Sequence, residues 1–363
     1  MRIHILLLYI LCISLFSCQS HQHKVKLDST IDSTLQVKVT SILESKLSEI
    51  NALSGQVIIM EVQTGQIKAL IGLTKKDSAN YQPCENFAVQ QPTGLMHPIS
   101  LLAALETGKV NLSDKVDVGN GIYLVNGREL KDHNWLRGGY GELTVEQGLA
   151  YNSNIVIYKV MEQAFGNNPQ AYFDLLAQMD YGKPDSIAGI SNLKPAHFTT
   201  PKDKDWNSTT FAWFGIGYNQ LISPIQTLTF YNAIANNGKM VQPQLYKDST
   251  VVINPQIASR ASIDSLKRTL AFNFINGLGK PAYSDKVAVA GIQGTVQVSE
   301  QEDNSEDKTN TEYAVEFCGY FPANNPKYTI IVSINKRGLP VSGSLMAGDV
   351  FRLIAEIYYQ IIT

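Results

Sequence analysis

Cysteine is scarce in this chain of 363 residues, and its four copies, Cys12, Cys18, Cys84 and Cys318, do not cluster. Neither Cys84 nor Cys318 has a Cys or His neighbour at metal-ligand spacing, so nothing here reads as a metal site and no cofactor is implied. The two could pair in an oxidising compartment or stand as free thiols, and spacing does not choose between them. An excess of either charge is also missing: 30 basic residues face 32 acidic ones for a net charge of −2. That balance gives no support for nucleic acid or another polyanion as partner. No internal repeat is present. Long apolar runs are limited to one near the start, Ile5 to Phe16, which is too short for a stable membrane span.

That run follows Arg2 and ends Leu15-Phe16-Ser17-Cys18, a charged start, an apolar stretch and a small residue ahead of a Cys. It resembles a bacterial lipoprotein signal, which implies removal of residues 1–17, acylation of Cys18 and a lipid anchor facing the periplasm in a bacterial cell envelope. Stable anchoring takes more than one acyl chain, and lipoprotein modification would supply that. Residues 18–28 read as the lipidated Cys and a short polar tether; His21 and His23 within it are too loosely held for a metal site. Such a tether spans at most roughly 35 Å even when extended. The domain is therefore expected to sit near a bilayer.

Residues 29–363 read as one domain, and the 44% apolar content is ample for a core. Ile31, Leu35, Val39, Ile42, Leu43, Leu47 and Ile50 recur at helical steps and predict an amphipathic helix. Gly55 to Val62, a turn at Gln63-Thr64-Gly65-Gln66, and Ile67 to Leu73 predict a hairpin. A central apolar helix is expected from Ile99 to Leu105. Thr144 predicts a helix cap ahead of Glu146, and a further helix is expected from Ile155 to Phe165. Pro224 marks another helix start, with Asn236-Asn237-Gly238 as its stop. The last third predicts strands at Val287–Ile292 running on to Gln297, at Tyr313–Tyr320 and at Tyr328–Asn335, then a helix from Ala347 to Ile361. Ser299 to Asn310 reads as an acidic, solvated loop tip. The fold class expected is α+β, a mostly antiparallel sheet flanked by helices.

From Thr30 onward the order of segments resembles the transpeptidase domain of class B, division-type penicillin-binding proteins. Phe214-Gly215-Ile216-Gly217-Tyr218 through Phe230 to Gly238, Phe321-Pro322-Ala323-Asn324-Asn325-Pro326-Lys327-Tyr328, and Ala347-Gly348-Asp349-Val350-Phe351 carry that resemblance. It implies a penicillin-binding, serine β-lactamase-like fold and three motifs, Ser-x-x-Lys, Ser-x-Asn and Lys-Thr-Gly. In that family the Ser attacks a D-Ala-D-Ala peptide or a β-lactam, the Lys one helical turn on takes its proton, and the third motif receives the substrate carboxylate.

All three motifs depart from the pattern here. Pro92 and the run Pro98 to Glu106 fix the register of the first, which places Gly94 at the Ser and His97 at the Lys. Asn152-Ser153-Asn154 falls on the second, with Asn152 for the first Ser and Asn154 kept. In the third, Ile292 replaces the Lys and Gln293 the Thr, while Gly294 and Thr295 remain. Gly94 has no atom that could be acylated, and loss of one nucleophile in a serine-protease triad costs about 10⁶ in turnover. An apolar Ile292 in place of a cation forfeits a charged hydrogen bond, worth roughly 1.5–3 kcal/mol. Asn154, Gly294 and Thr295 are the remaining candidates for substrate contact. A Thr93–His97 pair is the rescue reading, opposed by the expectation that Thr93 caps the helix; Cys318 and Ser153 are better read as structural.

The expectation is a membrane-anchored pseudo-transpeptidase, a non-catalytic binding or regulatory component of peptidoglycan synthesis or cell division. Its implied partners are the membrane, cell-wall synthesis or division proteins, and the peptidoglycan stem peptide. One alternative is an active D,D-transpeptidase or carboxypeptidase with an unorthodox nucleophile. The other is a non-covalent sensor of wall peptides or β-lactams.

Overall fold

One antiparallel sheet of six strands separates two apolar cores. The computed structural model describes residues 28–78, 80–85, 92–298 and 311–362. The signal region with Cys18, nearly all of the tether and the acidic Ser299–Asn310 stretch lie outside the described residues. Early strands β1 (Ser54–Glu61), β2 (Ile67–Lys75) and β3 (Tyr81–Pro83) join late strands β12 (Ala290–Gln297), β13 (Glu312–Phe321) and β14 (Tyr328–Arg337). The order across the sheet is β12-β13-β14-β1-β2-β3, so β12 is an edge strand. Between the two sets lie four small ribbons: β4 (Lys115–Gly119) with β7 (Gly141–Thr144), β5 (Ile122–Val125) with β6 (Arg128–Lys131), β8 (His197–Phe198) with β9 (Gln220–Leu221), and β10 (Met240–Val241) with β11 (Val252–Asn254).

Side chains alternate across a strand, and both faces of this sheet are covered. Val57 and Ile59 point into the core shared with α1 (Ser33–Glu49) and α9 (Ala347–Ile362). Ile58 and Met60 point into the other, larger core. That core is filled by α2 (Met96–Glu106), α3 (Val145–Ala150), α4 (Asn154–Phe165), α5 (Pro169–Gln178), α6 (Thr210–Gly215) and α7 (Pro224–Ala235). The last helix of this set, α8 (Arg260–Asn276), sends Leu266 and Leu270 into it and Phe274 into the other core. Burial on both faces is why β1 reads as a continuous apolar run rather than an alternating one.

The caps agree with the local sequence. Asp32 caps α1, Thr144 closes a capping box with Gln147 on α3, and Ser223 closes another with Gln226 just before Pro224 on α7. Two expectations move. The strand expected to begin at Val287 begins at Ala290, since Val287 and Val289 are buried without joining the ladder. The cap position of α2 is Leu95 rather than Thr93, because a 3₁₀ turn over Thr93–Leu95 precedes the helix. Cys84 and Cys318 are both free thiols, the first half-buried and the second buried on β13.

Candidate functional site

The 3₁₀ turn Thr93–Leu95 leads into an enclosed helix, with Met96 through Ala104 all buried. Its start is pinned from across the core, where the Tyr231 hydroxyl donates to the Leu95 carbonyl at 2.7 Å. Gly94 therefore has a fixed position. A β-carbon built on it would stand 2.7 Å from Nδ2 and 2.9 Å from Oδ1 of Asn152, closer than real β-carbons come. The Asn152 amide fills the space that a nucleophilic side chain would need. Asn152 itself adopts a left-handed φ of 53°, a conformation Asn tolerates better than most residues.

His97 lies one turn on, fully buried. Burial pushes its imidazole down to about 4, against a small opposing pull from the neighbouring Asn154 and Asn152 amides. Neither contact reaches hydrogen-bond geometry, and both ring nitrogens lack a partner among the described residues. His97 is thus neutral near pH 7 and shut away from solvent. The Thr93 side chain, the other half of the rescue pair, lies outside the described residues.

The second motif is built on a buried carboxylate that sequence reading missed. Ser153 Oγ donates to Asp132 Oδ2 at 2.7 Å and accepts the Val156 N–H at 3.1 Å, capping α4. The Ile155 N–H donates to Asp132 Oδ1 at 3.1 Å. Desolvation pushes the Asp132 carboxyl up, and those hydrogen bonds partly oppose it. Ser153 is structural, as its middle position suggested. Asn154 opens α4 and donates from Nδ2 to the Lys131 carbonyl at 2.8 Å.

The third motif divides between core and cleft. Ile292 does not face the cleft: it is fully buried, in an apolar row that registers across the sheet as Ile58, Ile331, Cys318 and Ile292. Its side chain extends that row, so a cation there would have no partner in it. This corrects the reading of Ile292 as an apolar lining of the carboxylate pocket. Gln293 is the residue on the cleft wall, only 5% exposed. Asn273 of α8, also missed from sequence, donates from Nδ2 to the Gly291 carbonyl at 2.9 Å and to Gln293 Oε1 at 3.2 Å. Thr295 Oγ1 accepts the Gly343 N–H at 3.2 Å.

Between the helical side and edge strand β12 an open cleft of about 900 Å³ remains. Gly94, Asn152, Asn154, Gln293, Gly294 and Thr295 all line it; His97 and Ile292 do not. Among the described residues three cations reach it. Lys131 is held by Glu129 at 2.6 Å, whereas exposed Arg137 and Lys280 have no carboxylate within ion-pair distance among the described residues. No group of three His, Cys, Asp or Glu among the described residues is placed to hold a metal. The arrangement offers hydrogen-bond donors and acceptors in a cavity and no nucleophile at the Gly94 position.

Comparison with known proteins places this geometry. Residues 55–356 match the model of the penicillin binding protein transpeptidase domain. A probable peptidoglycan D,D-transpeptidase of Pseudomonas aeruginosa, PbpC, is 26% identical over 322 residues, covering 84% of this chain and 53% of that protein. The peptidoglycan D,D-transpeptidase FtsI of Escherichia coli is 23% identical over 342 residues, covering 88% of this chain and 55% of that protein. The chain thus spans about half the length of these curated relatives. Among solved structures, the transpeptidase domain of penicillin-binding protein 3 from Burkholderia pseudomallei superposes with a TM-score of 0.77 at 22% identity. That match covers 93% of this chain and 96% of the other, and it shows the fold.

Proposed function

The chain belongs to the penicillin-binding protein transpeptidase domain family, and from that premise we propose that it is a non-acylating member which binds wall peptide without covalent chemistry. The observation that carries the reading is the contact between Asn152 and Gly94. The volume a nucleophile would need is filled by an amide, while the cleft beside it stays open. A member that had become a scaffold alone would have no use for an open cleft lined by retained Asn154, Gly294 and Thr295. In this reading the protein serves peptidoglycan synthesis or division as a binding or regulatory component and contacts cell-wall proteins. It is held to an envelope membrane through acylated Cys18. No helix among the described residues is long and apolar enough to cross a membrane.

The alternative of an active transpeptidase or carboxypeptidase draws no support from His97. A base that is fully buried and absent from the cleft wall cannot meet a substrate there. Labelling with a fluorescent penicillin separates the two. The expected result is no covalent adduct at any time or concentration; an adduct that disappears in Thr93→Ala overturns the non-acylating reading.

A further inference from the structure

A second cavity lies toward the β3 end of the sheet and shares no lining residue with the cleft at β12. Strand register explains why it is there. Gln56 of β1 is paired with Ser333 of β14 on one side and Gly72 of β2 on the other. Two residues from Ile58, it stands on the same face of the sheet, toward the larger core. At Gly72 the chain turns onto that face. The Cys84 N–H donates to the Gly72 carbonyl at 2.9 Å, and a β-carbon on Gly72 would stand 2.2 Å from the Cys84 carbonyl oxygen. Glycine at 72 is thus what lets Cys84 and Glu85 reach the cavity wall. Residues 189–192 and Leu245 close the other side, and about 180 Å³ is left open.

The chemistry of Gln56 is unfinished. Its surface is only 3% exposed, yet its side-chain amide makes no hydrogen bond among the described residues. Its backbone is held in the ladder on both sides, so it meets the cavity through its side chain. Neither end of its amide is sealed off, unlike Gln293 Nε2 or the Tyr320 hydroxyl in the interior. Buried polar groups are rarely left unpaired in a native protein unless water or a ligand completes them.

The walls narrow the ligand. Leu70, Ile190 and Leu245 are apolar, and burial pushes the Cys84 thiol up, so it is uncharged near pH 7. No Lys, Arg or His lines the cavity among the described residues, and its one carboxylate, Glu85, is exposed. A carboxamide matches these surroundings, since it donates to Gln56 Oε1 and accepts from Nε2 in one paired contact. A carboxylate offers no donor and meets Glu85 instead of a cation. An ammonium or guanidinium offers no acceptor. Water satisfies the amide but gains nothing from the apolar walls.

We propose that this cavity is a second binding site, for a small neutral ligand carrying a primary carboxamide, with Gln56 as the residue that recognises it. A cavity of about 150 Å³ holds one benzene, so the space here admits a ligand of about six non-hydrogen atoms. The site is independent of the peptide-binding reading of the cleft.

Butyramide and butyrate, alike in size and shape, test it by saturation-transfer NMR on the full chain. Butyramide should bind at least about tenfold more tightly. Gln56→Met, equal in length but without the amide, should remove that preference. Its denaturant midpoint should not fall, because no hydrogen bond within the protein is lost. Cys84 places the ligand: butyramide should slow its modification by methyl methanethiosulfonate, read by mass spectrometry of the Cys84 peptide, in the parent and not in Gln56→Met. Absence of butyramide binding, equal affinities, or a preference that survives Gln56→Met overturns the inference. So does a lower midpoint in that variant, or a Cys84 rate that bound butyramide leaves unchanged.

Discussion

Asn152 occupies the volume that a side chain on Gly94 would need, its amide lying within 3 Å of where a β-carbon would stand. The two positions are therefore coupled. Gly94 is not among the residues of positive φ, so space rather than backbone conformation selects glycine there. Gly94→Ser is expected to lose about 0.5–1.5 kcal/mol of stability, the cost of turning the end of the Asn152 side chain aside from its present rotamer. The double variant Gly94→Ser with Asn152→Ser should recover most of the loss, because the shorter side chain vacates the contact. Urea unfolding of the four proteins in the cycle measures it, and purely additive losses would sink the coupling. Neither variant should be acylated by a fluorescent penicillin, since His97 remains buried and neutral.

What the sequence revealed of this arrangement, and what it hid, follows from distance along the chain. Helix starts such as Ser223-Pro224 with Gln226 were legible because their hydrogen bonds close within a few residues. The places of Gly94, Asn152 and Gln293 on the cleft lining were legible because flanking segments fixed their register, whereas the burial of His97 was not. The contact of Asn152 with Gly94 was not, since it joins residues far apart whose side chains carry no local pattern. Asp132 and Asn273 were missed for the same reason: each is a polar residue whose role appears only when its partners, Ser153 and Gln293, are brought to it. Ile292 was expected at the carboxylate site because the third motif places it where the family has its Lys, and a motif position does not say which way an apolar replacement turns. The row Ile58, Ile331, Cys318 decides it.

His97 predicts an acid-sensitive term in stability. Its folded value of about 4 lies below the ordinary 6.5, so the unfolded chain binds the extra proton in the window between them. Stability contributed by this residue is complete above pH 6.5 and falls as pH drops toward 4. The loss reaches about 3 kcal/mol, from 1.36 kcal/mol per pH unit over that window. His97→Leu removes the titrating group while keeping the site filled. Denaturant midpoints at pH 7 and pH 4.5 should differ less in the variant than in the parent, and an unchanged difference would remove His97 as the cause.

Ser153 serves Asp132 and helix α4 together, accepting the Val156 N–H while donating to the buried carboxyl. Ser153→Ala loses a helix cap and one of the hydrogen bonds of a desolvated acid. The expected cost is about 2–3 kcal/mol, the sum of a typical cap and a buried hydrogen bond to a charged group. Thermal unfolding would show it. A loss below about 0.5 kcal/mol would place Ser153 among ordinary surface positions.

Cys18 carries the proposed anchor. In a bacterial host the parent chain should incorporate labelled fatty acid and sediment with membranes, and Cys18→Ala should do neither. Membrane association that survives the substitution would require a different attachment, because one apolar run as short as Ile5 to Phe16 does not form a stable span.

Arg137 and Lys280 should act on a wall peptide at a distance rather than by contact. Both are exposed on the cleft lining without a carboxylate partner among the described residues, on a chain whose net charge is −2. Exposed charges are screened over about 8 Å at physiological salt. They therefore speed the approach of an anionic ligand more than they hold it. An exposed ion pair contributes about 0.2–1 kcal/mol, so each cation should alter affinity for an acidic peptide by no more than about fivefold. Binding of N-acetyl-Glu-Lys-D-Ala-D-Ala should weaken as salt rises. In the double variant Arg137→Ala with Lys280→Ala that dependence should flatten, with the fall seen in the association rate and little change in dissociation. Stopped-flow measurements across a salt series check it. A double variant with an unchanged slope would show that the cations of the mouth do not face the ligand's path.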